Sequence, residues 1–201
     1  MKSNVEKLKV QFKGRPSEEE AKEAVKVILR YIGEDPSREG LLETPKRVVK
    51  SFSEFYSGYS EDPQTVLSKT FGEVAGYEEM ILLKDLEFQS TCEHHMQPII
   101  GRAHIAYIPN KRIVGISKLA RVVEIFAKRL QVQEKMTAQV AKAVDDVLQP
   151  LGVAVFITAK HHCMSARGVK KDNSLMDTSF FTGMFKLQPE LKREFLAKVG
   201  R

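Results

Sequence analysis

The sequence predicts an α+β fold in which an antiparallel sheet carries paired helices and a helical segment precedes both. Apolar residues recur at helical spacing through the first third of the chain. After Gly76, long strand-like runs come in hairpin-like pairs, and two helices then follow one another directly. This order of helices, strands, a helix pair, more strands and a final helix does not alternate as a doubly wound parallel sheet requires.

Each element has a local reason. Residues 1–16 are polar and are expected to form a flexible arm, with a helical segment at 17–70 and the sheet domain at 71–201. Ser17 followed by Glu20 is a capping box. Ala21, Val25, Ile28, Leu29 and Ile32 then fall at helical spacing up to Gly33. Thr44 and Pro45 open the next helix as N-cap and first-turn residue, and Val48, Val49, Phe52, Phe55 and Tyr56 form its apolar face. Asp62-Pro63 starts a short third helix. EEMILLKDLEFQS and PIIGRAHIAYIP read as two strands, Pro109-Asn110 as a turn, and IVGI as a short strand. SKLARVVEIFAKRL is a helix with Ser117 as N-cap and Leu119, Val122, Val123 and Phe126 inward. QEKMTAQVAKAVDDVLQ is the second, stopped by Pro150 and Gly152. VAVFITAK is a strand, SFFTGMFK a last strand and PELKREFLAKV a terminal helix.

Composition bounds the function. A chain of 201 residues, 42% hydrophobic and 29% charged, is ordinary for one globular domain with a smaller appended segment. No apolar run is long enough to span a bilayer, and the N-terminus lacks a signal-peptide core, which points to the cytoplasm. Two cysteines are no disulfide framework. A net charge of +6 fits either a solvated basic surface or an anionic ligand, a phosphate ester or a nucleic acid. The absence of tryptophan and the 8% aromatic content exclude a stacking platform for single strands.

Two short stretches hold nearly all the metal-binding chemistry. STCEHHMQP contains Cys92, His94 and His95; KHHCMSARG contains His161, His162 and Cys163. A single Cys or His is more often core or surface than ligand. Together, though, these stretches hold both cysteines and four of the five histidines. Cys92 and His95, three apart, fall on one side of a turn, and Cys163 supplies a third ligand from the distant stretch. A Cys, His, Cys set suits zinc and leaves the fourth tetrahedral position open, as in catalytic sites. Strand alternation puts His161 and Cys163 on one face and His162 on the other. His94 and His161 are then acid/base candidates beside a metal-bound water, whose pKa zinc lowers from about 15.7 to about 7. His104 reads as structural, and His162 as incidental or as a support behind the ligands.

STCEHH, SKLAR, LQVQEKMT and HHCMSARG, with TPKRVVKSF ahead of them, agree in order and spacing with a known family: the chain resembles type IA GTP cyclohydrolase I from about residue 20 to its C-terminus. The second histidine of His161-His162 departs mildly from the family pattern, which requires only the first. The resemblance implies the tunnelling fold, an antiparallel sheet with paired helices, in subunits that form a ring. Two rings stack as a homodecamer of two pentamers, with active sites between subunits. It implies hydrolysis of GTP at a cyclic amidine C–N bond to formate and 7,8-dihydroneopterin triphosphate, the first step towards tetrahydrofolate, one-carbon carriers and other pterins. Carried over residue by residue, Cys92, His95 and Cys163 match the zinc ligands, and His94 and His161 the acid/base histidines. Gln133 and Glu134 match the guanine-recognition pair. Ser117, Lys118, Arg121, Arg167, Arg47 and Lys50 match the triphosphate contacts.

The chemistry agrees with those roles. Guanine C8 is a poor electrophile, so zinc-bound water is a suitable nucleophile, and His161 is suited to protonate N7. Formamide hydrolysis calls on the same zinc. Ribose opening, rearrangement and reclosure are proton transfers for the two histidines. The Glu134 carboxylate accepts from guanine N1–H and the exocyclic amine together, and such a site rejects adenine by about 10⁴-fold. Without the resemblance, Glu134 reads as a helix-start glutamate favourable to the dipole. Ser117-Lys118 at a helix start, with Arg121 a turn on, attracts phosphate. The expected partners are GTP and further copies of the chain, with neither nucleic acid nor membrane. A zinc-stabilised nucleic-acid-binding module expects a fourth ligand and a continuous basic face, and neither is evident. Another tunnelling-fold enzyme acting on a pterin or purine is the other alternative. The Cys-His-Cys set separates this chain from the three-histidine pattern of tetrahydropterin-forming relatives.

Overall fold

A computed structural model describes residues 14–72 and 76–201. The arm expected at residues 1–16 lies, up to residue 13, outside them. The chain divides into two compact units, residues 1–53 and 54–201. Among the described residues no helix is long and apolar enough to cross a membrane.

In the first unit, α1 (Glu18–Tyr31) opens with the expected capping box. Ser17 Oγ accepts the Glu20 N–H at 3.2 Å, and the Glu20 carboxylate accepts the Ser17 N–H at 2.8 Å. Val25 is buried, but Ile28 and Ile32 are 58% and 64% exposed, so the apolar stripe is only partly covered in a single chain. α2 (Thr44–Phe55) starts at Thr44 itself, which therefore lies in the helix and not at the cap. Arg47 and Lys50 sit exposed on α2, three residues apart.

The second unit begins with α3 (Pro63–Leu67), whose cap Asp62 accepts from the Gln64 and Thr65 N–H groups. Then follow β1 (Thr70–Phe71), β2 (Ile81–Cys92), β3 (Pro98–Ile108), β4 (Ile113–Val114), α4 (Ile116–Ala127), β5 (Leu130–Gln131) and α5 (Gln133–Leu148). The chain ends with β6 (Gly152–His161), α6 (His162–Ser165), β7 (Met176–Phe181), α7 (Gly183–Leu187) and α8 (Pro189–Lys198). The main sheet has the order β5-β2-β3-β6-β7; every pairing is antiparallel except the short β5–β2 contact. This is the expected α+β architecture, an antiparallel sheet with α4 and α5 paired on one face, as the tunnelling fold implies.

Strand alternation builds both layers of the core. Ala103, Ile105 and Tyr107 on β3 and Val153, Val155 and Ile157 on β6 meet Leu119, Val122, Val123 and Phe126 of α4 and Met136, Val140 and Val144 of α5. The intervening Ala106, Ile108, Ala154 and Phe156 meet Phe185 of α7 and Phe195 of α8. Two further local expectations fail. Helix α4 is capped by Gly115, and Ser117 lies in its first turn. SFFTGMFK is not one strand, because Gly183 adopts φ 49°, against the Leu151 carbonyl, and turns the chain into α7.

β2 bulges between Leu83 and Leu86, where Asp85 adopts φ 57°. His104 Nδ1 accepts the Asp85 N–H at 3.3 Å, so the buried ring holds the bulge only while neutral. Burial pushes the His104 pKa below its ordinary 6.5; Asp85 opposes this, and Lys84, Arg201 and Arg102 add to it. Above pH 6.5 the ring is neutral folded or unfolded. Below it the unfolded chain takes up a proton that the folded ring refuses, so stability falls with pH down to the folded pKa. In urea titrations the stability advantage of wild type over His104→Gln should be constant above pH 6.5 and shrink on acidification below it. A pH-independent difference would refute this account.

Candidate metal centre

The β2–β3 hairpin makes one side of the site. Cys92 ends β2 and is 5% exposed. Its N–H donates to the Gln97 carbonyl at 2.8 Å, and its own carbonyl accepts from Met96 N–H at 2.8 Å. Met96 adopts φ 51°, which closes a tight turn with Glu93, His94 and His95 at its tip. β5 buttresses this end, with Cys92 paired to Gln131 and Glu93 N–H donating to the Gln131 carbonyl at 3.0 Å. β5 is itself clasped: Leu130 N–H donates to Tyr59 Oη at 3.1 Å, and the Arg129 guanidinium reaches the Gly58 and Glu61 carbonyls.

The other side comes from the end of β6. The β3–β6 register pairs Ile99 with His161, which carries the residues after His161 to the hairpin. The strand stops at His161, and Cys163 lies in α6, a single helical turn. The expected shared strand face for His161 and Cys163 is therefore not how the two are placed; a helical turn delivers the thiol instead.

The ligand atoms of Cys92, His95 and Cys163 all lie within 4.8 Å of one another. In a tetrahedral zinc site with Zn–S near 2.3 Å, ligand sulfurs sit about 3.8 Å apart, so small side-chain adjustments complete the geometry. Two thiols and one imidazole are the soft donor set that zinc favours. Burial, then the neighbouring Cys92 sulfur, holds the Cys163 thiol above its ordinary range. A divalent cation reverses that preference by stabilising both thiolates.

The remaining predicted residues separate into two groups. His94 Nδ1 lies 4.0 Å from Cys92 Sγ. His161 Nε2 lies 2.7 Å from Gln133 Oε1, and burial lowers its pKa while the charge of exposed Glu134 raises it. The Arg167 guanidinium donates to His95 Nε2 at 3.1 Å. These residues gather with the cluster. Ser117 and Lys118 do not. They lie in the first turn of α4, beside β4 and the far end of β3, where Val114 N–H donates to Tyr107 Oη. The other end of α4 adjoins β5 and Cys92, a helix length of about 18 Å away. Arg121 is exposed partway along it. Gln133 is 1% exposed, with its amide engaged by protein groups, unlike the base-facing side chain expected of it. Sequence reading missed Thr137 and Thr178, which bond this glutamine's surroundings. Only the i,i+4 spacing of Gln133 and Thr137 hinted at the first, and Thr178 comes from a strand far along the chain.

The sequence profile of GTP cyclohydrolase I matches residues 21–200. The chain belongs to the GTP cyclohydrolase I family. A GTP cyclohydrolase 1 of Sinorhizobium fredii (strain NBRC 101917 / NGR234) is 56% identical over 183 residues, covering 91% of this chain and 89% of that protein. One from Pelagibacter ubique (strain HTCC1062) is 55% identical, covering 92% of each. One from Rickettsia felis (strain ATCC VR-1525 / URRWXCal2) is 56% identical over 90% of this chain and 96% of that protein. Membership of the GTP cyclohydrolase I family thus covers both halves of the Cys-His-Cys cluster.

Replacing Cys163 with Ala removes one of the three candidate ligands. Zinc affinity should fall by about 100-fold or more in a competition titration with a chromogenic chelator. Glu134→Ala, which touches no ligand, should retain wild-type affinity. Equal zinc binding by Cys163→Ala and wild type would overturn the ligand assignment.

Proposed function

We propose that this chain hydrolyses GTP to formate and 7,8-dihydroneopterin triphosphate, in the cytoplasm, as the first step of tetrahydrofolate or other pterin synthesis. The observation that carries the reading is the convergence of Cys92, His95 and Cys163, with His94 and His161 beside them, in a chain of this family. Residues 71–201, which follow the helical segment 17–70 in the sequence, carry the catalysis.

Cys92, His95 and Cys163 would hold the metal, and zinc supplies Lewis acidity and a water acidified towards neutral pH. His161 delivers a proton to N7, which makes C8 more electrophilic and weakens the C8–N bond that must break. His94 takes and returns protons on the other side of the cluster, and the two histidines serve ring opening, rearrangement and closure. Glu134 starts α5, exposed and near enough to His161 to influence its charge. Its carboxylate accepts guanine N1–H and the exocyclic amine. Arg167 neutralises phosphate from the same chain, and Ser117, Lys118, Arg121, Arg47 and Lys50 are the further triphosphate contacts.

The separation of the α4 N-terminus from the cluster supports an active site shared between copies of the chain, in a decamer of two stacked pentamers. The sheet has edges suited to this. Beyond β5, residues Ile81–Ser90 of β2 pair on one side only among the described residues, and β7 pairs only with β6. Free strand edges of this kind pair with neighbours. A cleft of about 560 Å³ along β2, lined by Glu87, Gln89, Arg102, Glu124 and Lys128, lies open beside the first of them.

Zinc-loaded protein incubated with GTP should release formate and, after oxidation, a fluorescent pterin. No formate would defeat the proposal. Glu134→Ala should lose most of the preference for GTP over ATP, a ratio of about 10⁴ in sites of this kind. Unchanged discrimination would remove Glu134 from base recognition. Light scattering should give about ten chain masses, whereas a monomer that turns over GTP would refute the shared site.

A further inference from the structure

We propose that Gln133 is a positioning residue for His161: its amide fixes both the ring's orientation and the nitrogen that carries the proton. The inference rests on the reading of His161 as an acid/base group in the proposed GTP hydrolysis. It reassigns Gln133 from base recognition to holding a histidine.

The hydrogen-bond inventory decides the orientation of the amide. Gln133 Nε2 lies 3.1 Å from the Ile157 carbonyl and 2.9 Å from the Met176 carbonyl, two groups that only accept. Both amide protons are therefore committed to β6 and β7, and a flipped amide would set its oxygen against two carbonyl oxygens. The amide oxygen must then face His161, 2.7 Å from Nε2. An amide oxygen accepts only, so His161 Nε2 carries the hydrogen. Nδ1 is the nitrogen left for other partners.

A second ring of hydroxyls locks the arrangement. Thr137 Oγ1 donates to the Gln133 backbone carbonyl at 2.7 Å, one turn back along α5. Its single proton is thus used, so in the 2.7 Å contact between Thr137 Oγ1 and Thr178 Oγ1 the Thr178 hydroxyl is the donor. Thr178 Oγ1 in turn lies 3.1 Å from Gln133 Nε2 and shares its protons. The network closes on itself: His161 to Gln133, Gln133 to Thr178, Thr178 to Thr137, and Thr137 back to Gln133. Gln133 and Thr137 are each 1% exposed. A nucleobase would have to displace buried, mutually satisfied groups to reach the amide. A catalytic imidazole needs this kind of partner, because its other nitrogen is useful only if the ring cannot turn or exchange tautomers.

Two measurements on the zinc-loaded protein test this, with Gln133→Met (similar length, no polar group) and Thr178→Val. In magic-angle-spinning NMR of protein labelled with ¹⁵N-histidine, the signal absent from His161→Asn identifies His161. At pH 8 it should show a protonated Nε2 and a bare Nδ1 in wild type, and lose that single tautomer in Gln133→Met. In steady-state formate release, Gln133→Met should lower kcat by about 100-fold, the typical contribution of one acid/base group. KM for GTP should stay within about twofold. Thr178→Val should lower kcat in the same direction by less, and it carries the test if Gln133→Met does not fold. Wild-type His161 protonated at Nδ1, or a Gln133→Met tautomer identical to wild type, overturns the inference whether or not GTP is the substrate. A Gln133→Met protein with unchanged kcat and a raised KM also overturns it and returns Gln133 to base recognition. Absence of formate from wild type with the expected tautomers would defeat the substrate reading and leave the positioning role standing.

Discussion

The pairing of β3 with β6 is the constraint on which the site depends. Ten consecutive residue pairs run from Ile99–His161 to Ile108–Gly152, buried on both faces over much of their length. A slip of one residue in β6 would turn Val153, Val155 and Ile157 away from α4 and α5 and bring Ala154 and Phe156 into their place. The register is therefore fixed by the core. Because it is fixed, the end of β6 arrives beside the start of β3, where the hairpin holds Cys92 and His95. Cys163, nearly seventy residues away in sequence, reaches Cys92 and His95 through packing far from any of the three. The same packing explains why the close approach at Gly101 matters: a Cβ there would strike the Thr158 carbonyl and Ala159 on β6.

What the sequence made legible follows from how local each signal is. The α1 capping box needs only Ser17 and Glu20, and it forms as expected. The two cysteine-histidine stretches were visible because the residue types are scarce, and the chain brings them together. The errors are at element ends, where neighbours decide. Ser117 has the chemistry of a cap, but β4 runs into the helix two residues earlier, at Gly115. Met184 and Phe185 look like strand residues, yet Gly183 turns left-handed against the Leu151 carbonyl and Phe185 drops into the second core layer. Strand alternation put His161 and Cys163 on one face, but α6 interrupts the strand at His162, and a helical turn places the thiol instead. The Gln133 contacts were illegible, because their acceptors lie on β6 and β7 and no local pattern announces a carbonyl left open for a side chain.

The uncovered surfaces belong to the same logic. Natural sheets rarely leave long edges free, and helices rarely expose apolar stripes, unless something covers them. Among the described residues, most of β2, the outer edge of β7 and the Ile28–Ile32 stripe of α1 are open in the single chain. In the proposed assembly these features and the displaced α4 N-terminus have one explanation. Association of that kind would cover the edges and would also complete the proposed phosphate site. Catalysis then depends on the oligomer for reasons of geometry, and a variant weakened only at an edge would lose substrate binding without any change at the metal.

The start of α5 shows how one helix turn can serve both the core and the solvent side of a site. Adjacent helical residues point about 100° apart. Gln133 turns inward and spends its amide on β6, β7 and His161; Glu134 turns outward into solvent, free to meet a ligand. Val132, in extended conformation just before them, sets the phase of the helix, and β5 fixes Val132 by pairing Gln131 with Cys92. A shift of one residue in β5 that carried Glu134 into the inward position would bury a carboxylate against two carbonyl oxygens, at a cost of several kcal/mol. The clasp of Tyr59 and Arg129 on the residues flanking β5 guards against that shift. Through β5, the hairpin that carries Cys92 and His95 and the start of α5 hold one common register.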